Sequence, residues 1–369
     1  MENIRFKITD ARVFRCSAPL NTPFRIATGQ HDSMENIFLR IDTAEGIPGF
    51  GEAAIATHIT GETLEQTTRN LEAVAGIIKG AAVSDPLALI EELRPRFDGN
   101  HSALAAFEMA LLDAWSRGRG VPLRSLFSPP DGFSERLSFS TDITVVIGSL
   151  EEAAETARSY ASRGFNAFKI KIGKDHDLDL QRVLEVCRIA PESTLILDAN
   201  MGFNADSMFA FLDRLRQNGI TPALIEQPVP REDWEGMAAV TRGVAGTGSL
   251  VCADETVRSL SDAKRAIETG AVTSINIKFM KTGITESAEI ARLACKSGIK
   301  LMIGAMMESC VAITAAAHFA SAMGCFDFID LDTTFFIKGA FSQSPCLDES
   351  GRFDLSASAP GLGFIPPVE

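Results

Sequence analysis

Apolar and polar residues in the first 130 positions follow the patterns of an α+β domain. Three stretches repeat apolar residues at i, i+3 and i+4, which predicts amphipathic helices, and two earlier stretches are rich in β-type residues. Glycines at positions 46, 49 and 51 are typical of turns. The predicted strands and helices are Ala11–Cys16, Ile37–Ile41, Leu64–Ile78, Pro86–Phe97 and Leu104–Arg117.

After a linker at Ser128-Pro129-Pro130-Asp131-Gly132, the pattern becomes a repeat. Short, continuous apolar runs alternate with amphipathic stretches, and Ser149-Leu150-Glu151-Glu152 has the pattern of a helix capping box. Eight such units predict a (β/α)₈ barrel over residues 131–335, with a capping domain over 1–130 and a tail, 336–369, that returns to the cap. The predicted strands are Phe139–Val146, Ala167–Ile172, Thr194–Asp198, Ala223–Glu226, Leu250–Ala253, Ser274–Ile277, Lys300–Ile303 and Phe326–Leu331.

Charged residues stand where these apolar runs end. Active sites of β/α barrels form at the C-terminal ends of the strands, so these side chains are expected to meet at one mouth. The successive intervals from Lys171 through Asp198, Glu226 and Asp254 to Lys278 are 27, 28, 28 and 24 residues. Each interval is about the length of one β/α unit. In chain order the residues are Lys169, Lys171, Asp198, Glu226, Asp254, Lys278, Asp330 and Asp332.

The acids at the ends of three successive strands would repel one another at a single mouth. A hard cation between them removes the repulsion, and Mg²⁺ is the natural partner of an all-carboxylate set. We therefore predict Asp198, Glu226 and Asp254 as metal ligands. The alternative is that each acid caps the helix after its strand, which suits Asp198 better than it suits Glu226.

The lysines complete a set that could move protons. Lys169 and Lys171 lie on one face of an extended strand and are expected to point into the barrel, and Lys278 ends a strand on the opposite side of the ring. Burial and a nearby cation should lower the pKa of a lysine at this mouth, as a general base requires. The alternative is a solvated edge strand with protective charges.

Composition narrows the class of protein. The 369 residues carry a formal net charge of −13 and no cluster of Lys and Arg, which argues against a nucleic-acid partner. Charges in Met1–Lys7 do not fit a signal peptide, and the apolar run Val311–Met323 is too short to cross a bilayer. Seven scattered cysteines are typical of a reducing cytoplasm. The sequence leaves open whether the chain forms a homo-oligomer.

The ordered set of Lys-x-Lys, Asp, Glu, Asp and Lys resembles the enolase superfamily, in its muconate-lactonizing-type subgroup. The resemblance covers nearly the whole chain, from Pro23-Phe24-Arg25 through Gly304-Ala305-Met306-Met307-Glu308-Ser309 to Pro360-Gly361-Leu362-Gly363. The resemblance implies a Mg²⁺ cofactor and a lysine base that removes a proton beside a carboxylate, giving an enediolate. This chemistry is typical of the superfamily.

Asp330-Leu331-Asp332 looks like the signature of the dipeptide epimerases within that subgroup. The resemblance implies that the two acids bind the ammonium of a dipeptide, that Lys169 shares the charge of its carboxylate, and that Lys171 and Lys278 transfer protons on opposite faces of the C-terminal α-carbon. Thr144 is a further candidate for positioning substrate, with ordinary strand packing as the alternative. An ordinary acidic turn is the alternative for the Asp pair.

One position departs from the family. Members that act on Ala-Glu carry an arginine in the capping loop, and Gly29 occupies that place here, which favours an uncharged or apolar C-terminal residue. An L-Ala-D/L-Glu epimerase remains an alternative. Others are a cycloisomerase or an o-succinylbenzoate synthase, whose substrates would leave the Asp pair idle, and a barrel that binds without catalysis.

Overall fold

The chain folds into an antiparallel sheet with helices and an eight-stranded parallel barrel. The structure is a computed structural model that describes residues 6–27 and 29–368. Residues 1–5 of the predicted capping domain, Thr28 of its loop and Glu369 of the tail lie outside the described residues. No helix within the described ranges is long and apolar enough to cross a membrane.

The N-terminal sheet has the strand order β3-β2-β1-β4 and packs against the longest helix of this part, α4. Its strands are β1 Phe6–Ile26, β2 Gly29–Thr43, β3 Pro48–Ala54 and β4 Ala82–Val83, and its helices are α1 Thr57–Thr60, α2 Leu64–Ile78, α3 Pro86–Leu93 and α4 His101–Gly118. Gly46 lies in a turn as expected, but Gly49 and Gly51 belong to β3. A Cβ on Gly51 would lie 1.9 Å from the carbonyl oxygen of Ala106, so glycine allows β3 to approach α4.

Eight parallel strands form the barrel, in the order β13-β12-β11-β10-β9-β8-β7-β6, as the sequence predicts. They are β6 Ile143–Val145, β7 Ala167–Lys171, β8 Thr194–Asp198, β9 Leu224–Glu226, β10 Leu250–Ala253, β11 Ser274–Ile277, β12 Lys300–Gly304 and β13 Phe328–Asp330. The helices are α5 Leu150–Ser162, α6 His176–Ile189, α7 Ala205–Gln217, α8 Trp234–Gly243, α9 Leu260–Glu268, α10 Phe279–Thr282, α11 Ile284–Lys296 and α12 Cys310–Met323.

The predicted first barrel strand is divided between two sheets. Only Ile143–Val145 joins the barrel, whereas Ser138–Ser140 (β5) pairs antiparallel with Arg352–Asp354 (β14) of the tail. Thr141 turns the chain between them because its N–H donates to Gly351 O and its hydroxyl accepts from the N–H of Leu331. The N–H of Asp142 then donates to Ile329 O at 2.9 Å and nearly closes the barrel.

The barrel is filled below its mouth. The side chains of Ile196, Leu224, Cys252 and Met302 form a small buried cluster on the inside of neighbouring strands. Side-chain layers of this kind make the interior of a β/α barrel a packed core rather than a pore. The polar groups described below therefore stand on an apolar floor.

The tail contacts both parts of the molecule. Lys338 N–H donates to Pro19 O of the cap, and Leu362 N–H donates to Asp113 on α4, while β14 pairs beside the barrel. Glu52 of β3 also joins cap and barrel, since it accepts from the N–H and hydroxyl of Ser309, ahead of α12. The domain boundaries at residues 130 and 335 stay a prediction.

Candidate active site

Three strands that lie side by side bring the predicted metal ligands to the mouth. Asp198 ends β8, Glu226 ends β9 in register with it, and Asp254 follows the last residue of β10. All three side chains are fully buried. Their backbone positions follow from the parallel register, because the C-terminal ends of parallel strands meet at one rim.

Lysines separate these carboxylates. Lys169 Nζ lies 3.0 Å from Asp198 Oδ2 and 2.7 Å from Glu226 Oε2, and Lys171 Nζ lies 2.6 Å from Asp198 Oδ2. Lys278 Nζ lies 2.8 Å from Asp254 Oδ2. Both lysines of β7 point into the barrel, as the strand period predicts, and at least one oxygen of each acid lies within 3.0 Å of an ammonium.

The pKa values reflect this pairing. Burial favours the neutral acid, but the ammonium groups of Lys171 and Lys169 outweigh it and hold the pKa of Asp198 below its ordinary value. Burial raises the pKa of Glu226 to about 7, and the charge of Asp198 adds to the rise. Burial alone would lower the pKa of Lys278, but the Asp254 carboxylate reverses the shift and raises it. The lowering expected at this mouth depends on a nearby cation and stays a prediction.

The sequence analysis missed a second lysine on Asp254. Lys281 of α10 donates to Asp254 Oδ1, to Asp254 O and to Asn276 O, at 2.7, 2.7 and 2.8 Å. Asn276 in turn donates through its side chain to Glu226 Oε1 at 2.7 Å. The signal was its place one helical turn after Lys278, but nothing in the pattern distinguished it from a lysine on the surface.

The predicted Asp pair lies on the other side of the mouth. Asp330 Oδ2 is 2.6 Å from Lys169 Nζ, and Asp332 Oδ2 accepts from the backbone N–H of Thr144 at 2.6 Å. Burial raises the pKa of Asp332 to about 6, and the charge of Asp330 adds to the rise. Thr144 thus contributes its backbone to this group, and all three residues line the cavity.

One more acid, Asp142, lies beside this pair and was not predicted. Carboxylate oxygens of Asp142, Asp330 and Asp332 lie within 4.8 Å of one another. Asp198, Glu226 and Asp254 form no such group in the described ranges, because their oxygens turn toward the lysines. Asp142 precedes β6, far from Asp330 in sequence, so no local pattern could have connected them.

The cavity above these residues has an apolar and imidazole wall. It encloses about 540 Å³, part of it open to solvent. Lys171 and Lys278 both line it, on strands four places apart in the ring of eight. The apolar and imidazole part of the wall consists of Phe24, Ile26, His31, Ala56, His58, Ile59, Ala305, Met306 and Met307.

Gly29 is not part of that wall, but it lies next to it. A Cβ on Gly29 would lie 3.9 Å from the ring of His58, which is in ordinary contact range. Arg25 points elsewhere, with its guanidinium 3.6 Å from Glu152 and bonded to Gln30. No arginine lines the cavity among the described residues.

Comparison with known proteins gives the family. Residues 8–128 match the N-terminal domain of mandelate racemase / muconate lactonizing enzyme, and residues 151–367 match the enolase C-terminal domain-like family. The hydrophobic dipeptide epimerase of Citrifermentans bemidjiense is 58% identical over 364 residues, which are 99% of this chain and 99% of the relative. This chain belongs to the dipeptide epimerase family of the enolase superfamily.

Two solved structures from dipeptide epimerases superpose on nearly the whole chain. The substrate-liganded L-Ala-D/L-Glu epimerase from Bacillus subtilis has a TM-score of 0.91 at 30% identity, covering 98% of this chain and 99% of that one. The dipeptide epimerase from Enterococcus faecalis complexed with Mg and L-Leu-L-Tyr has a TM-score of 0.87 at 32% identity, with coverages of 97% and 99%. The resemblance recognised in the sequence is confirmed.

Proposed function

We propose that this protein is a Mg²⁺-dependent epimerase that inverts the α-carbon of the C-terminal residue of a dipeptide, preferably one with an uncharged or apolar side chain there. The observation that carries the proposal is the pair of lysines, Lys171 and Lys278, on opposite sides of one mouth. The identity to a hydrophobic dipeptide epimerase supports the same activity.

The residues present fit a Mg²⁺ ion. Asp198, Glu226 and Asp254 supply three buried carboxylates at adjacent strand ends, which is the hard-oxygen donor set that Mg²⁺ prefers. Beside them, the buried oxygens Asn200 Oδ1 and Glu255 Oε2 find no hydrogen-bond donor among the described residues, so the mouth holds more acceptors than donors. When bound, the ion would stabilise the charge that develops on the substrate carboxylate as the α-proton leaves.

The lysines would carry the proton. One of Lys171 and Lys278 removes the α-proton from its own face of the substrate, and the other delivers a proton to the opposite face. Since the two side chains rise from strands across the ring, neither needs to move around the substrate. Lys169, with its Nζ between Asp198 and Glu226, would hold the substrate carboxylate beside the metal ligands.

Asp330 and Asp332 would hold the ammonium at the other end of the dipeptide. A charged N–H donor to a carboxylate forms one of the stronger hydrogen bonds in proteins. An ammonium contact with Asp330 and Asp332 also distinguishes dipeptides from the substrates of cycloisomerases and o-succinylbenzoate synthases, which lack an ammonium. The Asp pair would have no partner in those reactions.

A screen of dipeptides in D₂O tests the function directly. Incubation with Mg²⁺ should add one mass unit at the C-terminal α-carbon of a substrate and produce its epimer, which chiral chromatography detects. The matched control is the Lys171→Ala, Lys278→Ala double variant in the same pools. If no dipeptide gains deuterium with the parent protein, while a substrate without an ammonium is converted, the proposed function is wrong.

The residues of the cavity wall predict which dipeptides have the higher kcat/KM. Apolar side chains and the imidazoles of His31 and His58 surround the place nearest Gly29, and burial lowers the pKa of both histidines, so a carboxylate meets no fixed positive charge there. We expect L-Ala-L-Leu and L-Ala-L-Phe to exceed L-Ala-L-Glu in kcat/KM by roughly tenfold or more, as the loss of a charged hydrogen bond implies.

Gly29→Arg should move this preference toward L-Ala-L-Glu, because the new side chain starts within contact of His58. Gly29→Gln is the control for bulk without charge and should not rescue the acidic substrate. Steady-state kinetics on the three dipeptides decide the matter. A tenfold advantage of L-Ala-L-Glu with the parent protein would contradict the specificity proposal and leave the two-lysine mechanism standing.

A further inference from the structure

Asp142 is a buried acid to which no role has yet been given. Its side chain is 2% exposed, and neither of its carboxylate oxygens finds a hydrogen-bond donor among residues 6–27 and 29–368. Buried carboxylates normally have partners, because an unpaired charge costs several kcal/mol to remove from water. The missing partner calls for an explanation.

Lys169 is the cation that acts on Asp142, but its ammonium already contacts three other carboxylates. Lys169 Nζ donates to Asp330 Oδ2 at 2.6 Å, and it lies 2.7 Å from Glu226 Oε2 and 3.0 Å from Asp198 Oδ2. Asp332 Oδ2 accepts from the backbone N–H of Thr144, which carries no net charge. The three acids beside β6 and β13 therefore have less positive charge near them than they need.

The pKa values of these acids also indicate a shortage of positive charge around them. Burial raises the pKa of Asp142 well above its ordinary value, and the charges of Asp330 and Asp332 raise it further. The pKa of Asp332 rises in the same way, to about 6. Both shifts are those of acids that lack a cation.

The spacing of the cluster suits one small cation. Oxygens of the three acids lie within 4.8 Å of one another, so a common centre exists at roughly 2.8 Å or less from each, which is the N⁺–H···O⁻ distance. An ammonium on an α-carbon has three N–H donors, one for each acid. Asp330 and Asp332 line the cavity, so two of the three acids face the mouth.

We propose that Asp142 is a third acid of the ammonium-binding site, so that Asp142, Asp330 and Asp332 together hold the N-terminal ammonium of the dipeptide. This inference rests on the proposed function. It assigns to Asp142 a part in reading a free N-terminus, with one acid for each of the three N–H donors.

A cycle that changes both the enzyme and the substrate tests the contact. The substrates are L-Ala-L-Leu and L-lactoyl-L-leucine, in which a hydroxyl replaces the ammonium with little change of shape. The enzymes are the parent and Asp142→Asn, and α-proton exchange in D₂O gives kcat/KM for each pair. Asp142→Asn should lose roughly ten- to a hundredfold on L-Ala-L-Leu, mostly in KM, and less than about threefold on the lactoyl substrate.

Control variants separate binding from folding. Asp113→Asn changes another fully buried acid, on α4 of the cap, and should affect both substrates equally if it affects either. If Asp142→Asn does not fold, Asp142→Ser is tested in the same way. The shift in melting temperature caused by each substrate analogue gives a second readout, and the parent should show the larger shift with the free amine.

Three outcomes would overturn the inference. Equal losses by Asp142→Asn on both substrates would make Asp142 a structural residue. Unchanged kinetics on L-Ala-L-Leu would remove it from the site. A Mn²⁺ titration in which Asp142→Asn loses a second metal ion would make the cluster a metal site instead. Failure of the parent itself on every dipeptide would count against the proposed function. That outcome differs from the other three, in all of which the parent is active.

Discussion

Lys278→Ala should stop epimerisation yet still exchange the α-proton of one epimer with solvent. Lys171 remains on its own side of the mouth and can still remove and return a proton there, whereas the opposite face has lost its base. Lys171→Ala should give the converse result with the other epimer. Removal of a general base typically costs roughly 10²- to 10⁴-fold, so the epimerisation rate should fall by that amount in both variants.

The experiment uses each pure epimer of Ala-Leu in D₂O and follows the α-proton by NMR and the epimer ratio by chiral chromatography. Lys264→Ala, on the exposed face of α9, controls for the loss of a lysine outside the mouth and should behave as the parent. Epimerisation by Lys278→Ala at the parent rate would rule out the two-lysine mechanism. Exchange of the same epimer by both variants would show that the lysines share one face.

Loss of the metal should be the second large effect. Exhaustive chelation should remove activity, and Mg²⁺ should restore it. Glu226→Gln keeps the size of the side chain but removes one of three charges, so metal affinity and turnover should both fall. Metal stabilisation of developing charge is worth several kcal/mol, or roughly 10²- to 10⁴-fold in rate.

Binding of Mn²⁺ to the protein alone, followed by electron paramagnetic resonance, measures the affinity independently of turnover. Glu268→Gln, at the exposed end of α9, is the control for the same change outside the mouth and should bind Mn²⁺ as the parent does. Lys281→Met should give an intermediate loss, since Asp254 keeps its charge but loses two of its anchoring contacts. Parent-like affinity in Glu226→Gln would remove Glu226 from the ligand set.

Local patterns in the sequence were enough for the barrel and the order of its charged residues. Each β/α unit buries both faces of its strand, so the apolar runs are continuous and end where the side chains reach the mouth. That rule brought Asp198, Glu226 and Asp254 to one rim and Lys171 and Lys278 to opposite sides of it. Their catalytic roles stay proposals, but their meeting point is a property of the repeat.

The sequence did not reveal partners that meet only through packing. Lys278 and Lys281 are three residues apart and chemically alike. Lys278 nevertheless lines the cavity, whereas Lys281 donates its hydrogen bonds to Asp254 and Asn276. The pKa of Lys278 also depended on how close Asp254 lies, which burial alone could not predict. Rotamers and distances of a few tenths of an ångström decide such pairings, and a pattern of residue types contains neither.

The seam of the barrel was decided by tertiary structure alone. Residues 142 and 330 lie in different repeats at the two ends of the barrel domain, and they meet because Asp142 N–H bonds to Ile329 O as the sheet curls back on itself. The stagger between the first and last strands sets which residues face one another there, and it depends on the whole ring rather than on any one strand. The sequence by itself determined the fold and the order of the charged residues at the strand ends, because each β/α unit repeats locally, and its ordered motifs gave the family. Only closure of the barrel brought Asp142 to Asp330 and Asp332.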